Sequence, residues 1–214
     1  ITFFTSPMSK KAAQKIDKYV QFWKVGSGDV QDYVMLNYLA DSGKPIIIST
    51  GMVSLKELDD VVSYLTAKGV PLSILYCVSQ YPAPKEVFNL ATIELFREKY
   101  PHAVIGFSDH SLTHDATLAA VKIGAKVIEK HFSFSRDLWG ADHKASLMPS
   151  EFKDMVDAVR NGAYDTAEIG QMYGTNDKEL EGAGNEFRPY FNKSLVAGGD
   201  IPVGTEFTEE QIFA

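Results

Sequence analysis

The sequence predicts an α/β protein built on a TIM (β/α)8 barrel, and three observations predict it. Apolar runs of strand length alternate with amphipathic segments of helix length along most of the chain, which is the pattern of βα units around a parallel sheet. Polar side chains collect at the C-terminal end of each run: Thr5, Lys24 with Ser27, Ser49 with Thr50, Ser79 with Gln80, Ser108 with His110, and His131. In a barrel those ends converge on one mouth, whereas an open doubly wound sheet would gather its polar groups at a single switch point. Third, no G-x-G-x-x-G or phosphate-loop motif marks such a point, since "KVGSGD" lacks the spacing. The open sheet is the alternative.

Taken in order, the expected strands are "ITFF", "FWKVGSG", "KPIIIST", "LSILYCV", "AVIGFS" and "KVIEKHF". Between them the helical patterns are "SKKAAQKIDKYV", "QDYVMLNYLADSG", "LKELDDVVSYLTAKG", "VFNLATIELFREKY" and "HDATLAAVKIGA", and "PSEFKDMVDAVRNGAYDT" follows the last strand. Local signals agree with these limits. Ser54 with Glu57 three residues later forms a capping box, and Gly43 and Gly69 are placed to close helices. From about Ala167 the periodicity fades into a stretch rich in Gly, Glu and Asn, and "SLVAGGDIPVGTEFTEEQIFA" resumes with short β-like pieces. The expected organisation is a partial barrel over residues 1–166, a linker over 167–188 and the start of a small β domain over 189–214.

Composition narrows the function. The net charge is -7 and no Lys/Arg run forms a basic face, so neither nucleic acid nor another polyanion is an expected partner. No apolar stretch approaches the ~20 residues of a membrane span. The single cysteine, Cys77, lies in the apolar run "SILYCV"; it is expected to be a buried reduced thiol, which excludes an intramolecular disulfide and fits a cytoplasmic protein.

The chemistry concentrates in "VIGFSDHSLTHDATLAAVKIGAKVIEKHF", which holds three of the five histidines. A lone histidine is more often a hydrogen-bonded structural residue than a ligand. His110 and His131 stand at equivalent ends of successive strands, which favours a shared divalent transition ion. Asp109 is an orienting group or a loop cap, His143 is open between site and surface, and His102 and His114 are expected in solvent. Lys24, borne on a strand and followed by Gly-Ser-Gly, suits a phosphate or carboxylate, with the hydroxyls of "STGM" and "FSDH" beside it.

The motifs "KVGSGD", "KPIIISTGM", "QYPAP", "IGFSDHS", "IEKHF" and "GADHKASL" together resemble those of the sialic acid synthase family, enzymes that make N-acetylneuraminate and related nonulosonates from phosphoenolpyruvate. The resemblance runs from Ile1 to Ala214. It implies that His110 and His131 are the two protein ligands of a divalent metal, Mn2+ with Mg2+ or Co2+ as alternatives. Lys24, Ser27, Ser49 and Ser108 match groups that hold phosphoenolpyruvate, and Thr5 matches a further site hydroxyl. Tyr81 and Asp142 match positions facing the amino-sugar. Asp29 stands where many relatives carry Glu, to stabilise a cation or handle a proton; with Lys24 and Tyr81 it makes the expected catalytic set. Ser79 stands where many carry Asn, which opens the identity of the sugar. The family mechanism polarises the aldehyde of an open-chain N-acetylated hexosamine such as N-acetylmannosamine and joins it to the enol carbon, with release of phosphate.

The resemblance also implies a homodimer, a barrel lacking its first two βα units, and a small antifreeze-like (SAF) domain entered but not finished. Such a piece is not expected to fold stably alone, because a barrel cut open exposes strand edges and apolar surface meant for the missing units. Two other functions compete with this one. They are another metal-dependent barrel aldolase or 3-deoxy sugar-acid synthase, and an inactive truncated barrel serving as a binding module.

Overall fold

In the computed structural model, which describes residues 1–208 and 211–213, five strands form one parallel sheet. They are β1 (Trp23–Val25), β2 (Ile46–Ser49), β3 (Leu72–Cys77), β4 (Val104–Asp109) and β5 (Ile128–Lys130), hydrogen-bonded in that order. Helices α1 (Lys10–Ile16), α2 (Tyr33–Asp41), α3 (Leu55–Ala67), α4 (Ala91–Lys99), α5 (Asp115–Lys122) and α6 (Pro149–Arg160) alternate with them as the sequence predicts. Trp23, Ile46, Ile48, Ile74, Tyr76 and Phe107 from the strands are fully buried with Leu36, Leu39, Leu58, Leu65 and Phe96 from the helices. The Ser54–Glu57 capping box opens α3, and Gly43 and Gly69 turn the chain out of α2 and α3 at φ of 70° and 72°.

The expected first strand is a correction. Residues 1–4 form no ladder, and the one backbone tie near them is a long bond of 3.4 Å from the Lys24 amide to the Thr5 carbonyl. A four-residue apolar run specifies a preference for burial, not a pairing partner; here Phe4 stacks near Phe22 at 4.5 Å between ring centroids and stays exposed. Five strands therefore stand where six were read.

The sheet curls into a half-barrel. Four inter-strand spacings of a flat sheet would set β1 and β5 about 19 Å apart, beyond the joint reach of two side chains. Yet Lys24 Nζ on β1 lies 3.6 Å from Glu129 Oε2 on β5, across the concave face. No helix among the described residues is long and apolar enough to cross a membrane.

The region read as a linker packs against the half-barrel. It holds one 3₁₀ turn, Gly170–Met172, and enters α7 (Gly184–Phe191), which crosses the boundary expected at residue 188. Arg188 binds both carboxylate oxygens of Glu57 at 3.2 and 2.6 Å, and Phe191 sits so close to Gly28 that a Cβ there would meet its own Cβ at 2.6 Å. Further on, β6 (Val196–Ala197) pairs antiparallel with β7 (Ile212–Phe213) in the segment expected to open a second domain. Glu209, Glu210 and Ala214 of that segment lie outside the described residues.

The Glu57–Arg188 pair makes α7 docking pH-sensitive. Burial raises the Glu57 carboxyl, but the Arg188 guanidinium and the Ser54 amide and hydroxyl outweigh it and hold the group below its ordinary value. A depressed carboxylate stabilises the fold above its unfolded-state pKa and loses that contribution as pH falls through the folded value. Glu57→Gln is therefore expected to cost about 1 kcal/mol at pH 7. In urea titrations at a series of pH values, the gap from wild type should close at acid pH. An unchanging gap would contradict this.

Candidate active site

Strand alternation decides which side chains face the concavity. On β4, Ser108 points inward and Asp109 outward, so His110, just past the strand, points inward again. On β5, Glu129 points inward and Lys130 outward, and His131 follows inward. The register pairs Ser108 with Glu129 and Asp109 with Lys130, which brings the two histidines side by side. Their rings meet edge to face at 5.2 Å between centroids.

Behind the wall, Asp109 and Lys130 fix that register. Lys130 Nζ lies 2.7 Å from Asp109 Oδ2, with both side chains withdrawn from solvent. Asp109 also accepts from the Thr117 hydroxyl at 2.7 Å and the Ser111 amide at 2.8 Å, while Lys130 donates to the Ser111 hydroxyl and the Thr113 carbonyl. Burial lowers the Lys130 pKa, and Asp109 works against it. Thus Asp109 anchors the strand end that carries His110.

The concave face encloses a cavity of about 210 Å³. Its wall brings together seven residues singled out in the sequence: Lys24, Ser27, Ser49, Tyr81, Ser108, His110 and His131. Lys24 Nζ donates to Ser49 Oγ at 2.6 Å and to the Val25 carbonyl at 3.1 Å. The Ser27 hydroxyl accepts from the Gly51 amide at 2.9 Å, which locks the β1 and β2 ends together. The Ser108 hydroxyl donates to Glu129 Oε1 at 2.7 Å.

His110 is held in one tautomer. Its Nδ1–H donates to the Val78 carbonyl at 2.7 Å, which leaves Nε2 as the lone-pair nitrogen, with the Ser108 hydroxyl 3.5 Å away. Burial pushes its pKa down to about 4, so the ring is uncharged at neutral pH. The Tyr81 ring covers it at 4.2 Å between centroids, and burial raises the Tyr81 phenol well above its ordinary value. Two imidazoles side by side, one held in a single tautomer by a backbone carbonyl, are donors that suit a divalent transition ion, while no third His, Cys, Asp or Glu among the described residues joins them in a metal-binding group.

Four expected residues are not on the wall. Thr5 is half-buried and gives its neighbour Ser6 to the cavity. Asp29 is buried in a 3₁₀ turn, Ser27–Asp29, and pairs with Lys193 at 3.2 Å. Ser79 is fully buried, with no hydrogen-bond partner for its hydroxyl among the described residues. Asp142 is exposed in the turn Asp142–Ala145, where its carbonyl accepts from Ser146. His143, left open between site and surface, bonds Ser133 at 2.7 Å away from the wall.

Sequence reasoning missed Glu129 as a wall residue, although the alternation that turns His131 inward turns Glu129 inward too. It also missed that Cys77 lines the wall, where burial raises its thiol pKa.

A comparison with protein-family models matches residues 1–169 to the NeuB family. The chain belongs to the NeuB family. It is 35% identical over 202 residues to the spore coat polysaccharide biosynthesis protein SpsE of Bacillus subtilis, covering 89% of this chain and 53% of that protein. The crystal structure of SpsE superposes on 98% of this chain with a TM-score of 0.86, at 30% identity and 61% coverage of its own chain. Other relatives are an N-acetylneuraminate-9-phosphate synthase of Mus musculus, 32% identical over 99% of this chain and 57% of its own length, and a pseudaminic acid synthase of Campylobacter jejuni, 35% identical over 99% and 60%. The chain thus spans between about half and three fifths of the length of these relatives.

Removing the charge behind the histidines should be costly. Lys130→Ala leaves Asp109 buried without its counter-ion and is expected to destabilise the protein by about 3–5 kcal/mol. Denaturant unfolding checks this; a loss under about 1 kcal/mol would show that the pair does not hold the register.

Proposed function

We propose that the protein condenses phosphoenolpyruvate with the open-chain form of an N-acetylated hexosamine, giving a sialic acid-type nonulosonate and inorganic phosphate. The observation that carries this reading is the cavity itself. One ammonium, Lys24, and the hydroxyls of Ser27, Ser49 and Ser108 line a concave wall that continues directly into the two imidazoles. An anion site beside a site for a Lewis-acid ion is what joining an enol phosphate to an aldehyde requires. Membership of the NeuB family supports the same class of reaction.

Lys24 and the serine hydroxyls bind the phosphate and carboxylate of phosphoenolpyruvate and neutralise their charge. A divalent ion, Mn2+ with Mg2+ or Co2+ as alternatives, is held by His110 and His131 and when bound supplies Lewis acidity toward the sugar aldehyde. The enol carbon attacks that aldehyde carbon, so a C–C bond forms, the aldehyde oxygen takes a proton and positive charge develops at C2. Glu129 on the wall and Asp29 beside it are the carboxylates suited to stabilise that charge and to take the proton of the water that adds there. Collapse of the resulting tetrahedral centre breaks the C–O bond and releases phosphate. The Tyr81 phenol stays protonated and donates to the sugar. Ser79 and Asp142 belong to the same proposal as sugar-facing groups. The relatives' names cover several different acids, so similarity selects N-acetylmannosamine no more strongly than a di-N-acetylated analogue.

Phosphate release from phosphoenolpyruvate, assayed with N-acetylmannosamine and with di-N-acetylated hexosamines, tests the reading. Release is expected only when an amino-sugar is present, and a chelator should abolish it until Mn2+ is restored. His131→Ala should lower turnover by more than the roughly 100-fold that loss of a supporting residue costs, with little change in the thermal melt. Chelator-resistant activity, or full turnover in His131→Ala, would overturn it.

A further inference from the structure

The segment after α7 sends one side chain back onto the turn that follows β1. Lys193 Nζ donates to the Met8 carbonyl at 2.6 Å and to Asp32 Oδ2 at 2.7 Å, and lies 3.2 Å from Asp29 Oδ1. These three partners come from the chain entering α1 and from the turn between β1 and α2, two of them hydrogen-bonded to the ammonium group and the third, Asp29, ion-paired with it.

The turn needs this cation. Asp29 and Asp32 stand three residues apart and both are buried. With both carboxylates withdrawn from water, the Lys193 ammonium is the counter-charge they share, 2.7 Å from Asp32 and 3.2 Å from Asp29. Asp32 is already fixed, because its Oδ1 caps α2 by accepting from the Met35 amide at 3.0 Å. Asp29 is not: among the described residues Lys193 is the one side-chain partner of its carboxylate. The turn is also contiguous with the cavity, since Gly26 and Ser27 line the wall immediately before Asp29. Burial disfavours the Lys193 charge, but Asp32 and Asp29 outweigh it, so the group stays cationic.

We propose that Lys193 is a positioning residue for Asp29: by bridging Asp29, Asp32 and the Met8 carbonyl it fixes the Asp29 carboxylate beside the cavity and makes its orientation depend on docking of the segment after α7. Lys193 itself is not among the residues that line the cavity. The catalytic part of this inference rests on the reading above that Asp29 serves the condensation; the structural part does not.

Two measurements on the whole protein test it separately. In a crystal structure of Lys193→Met the Asp29 side chain should leave its native position by more than about 1 Å; an unmoved Asp29 overturns the proposal whatever the reaction is. In phosphate-release kinetics Lys193→Met should lower kcat about tenfold or more with the KM for phosphoenolpyruvate held within about twofold, and Lys193→Arg should recover most of the loss. On an Asp29→Asn background the same substitution should change kcat less than about twofold, because the two residues act as one unit. Equal losses in both backgrounds, or a rise in KM alone, would overturn the positioning role. Should Lys193→Met fail to fold, Lys193→Gln, which keeps hydrogen-bond donors without the charge, gives the same comparisons. A wild-type protein that releases no phosphate with any amino-sugar sinks the proposed reaction, and the crystal structure still decides the fate of Lys193.

Discussion

The buried pair of Asp109 and Lys130 is the contact on which the site depends. A strand register displaced by one residue turns every side chain to the opposite face. At the ends of β4 and β5 such a slip would carry Ser108, His110, Glu129 and His131 out of the concavity and put two charged groups into it. The 2.7 Å pair, closed further by Thr117 and Ser111, can form only in the register that sets Ser108 against Glu129. Once that register holds, the neighbouring imidazoles follow from geometry alone.

The second constraint is curvature. The contact between Lys24 and Glu129 joins the outermost strands of the sheet, and it exists only because the sheet bends until its edges face one another. It also sets the electrostatics of the cavity: Lys24 and Glu129 paired across it, two imidazoles and a ring of hydroxyls. The contact is close at 3.6 Å but not bidentate. Docking of α7 through Arg188 and Glu57, and of the following chain through Lys193, ties distant sequence to the same mouth.

Most of the sheet was legible because burial on both faces forces near-continuous apolar runs, and β1 to β5 all lie inside runs that read as strands. The strand-end polar groups were legible for the converse reason: a buried parallel sheet has few other places to put Lys24, Ser49, Ser108 or His110. "ITFF" misled because an apolar tetrapeptide carries no information about its pairing partner. Glu129 was overlooked because a charged residue within "VIEKHF" reads as a blemish in a strand, although alternation assigns it to the wall and gives the outer face to Lys130. Asp29 and Asp142 were matched by motif alone, and the structure sets both off the wall. The turn that holds Asp29 is shaped by Lys193, more than 160 positions later, and nothing local predicts that bond.

The central claim is that the concave wall binds phosphoenolpyruvate next to a divalent ion. The most direct measurement is a crystal structure of the protein with phosphoenolpyruvate and Mn2+, with anomalous scattering used to locate the metal. The account predicts phosphate or carboxylate oxygens within about 3 Å of Lys24 Nζ and the serine hydroxyls, and one manganese peak bonded to both His110 and His131. Phosphoenolpyruvate in another groove, such as the one lined by Asp59, Lys99 and Tyr100 between α3 and α4, or manganese away from the two histidines, would contradict it.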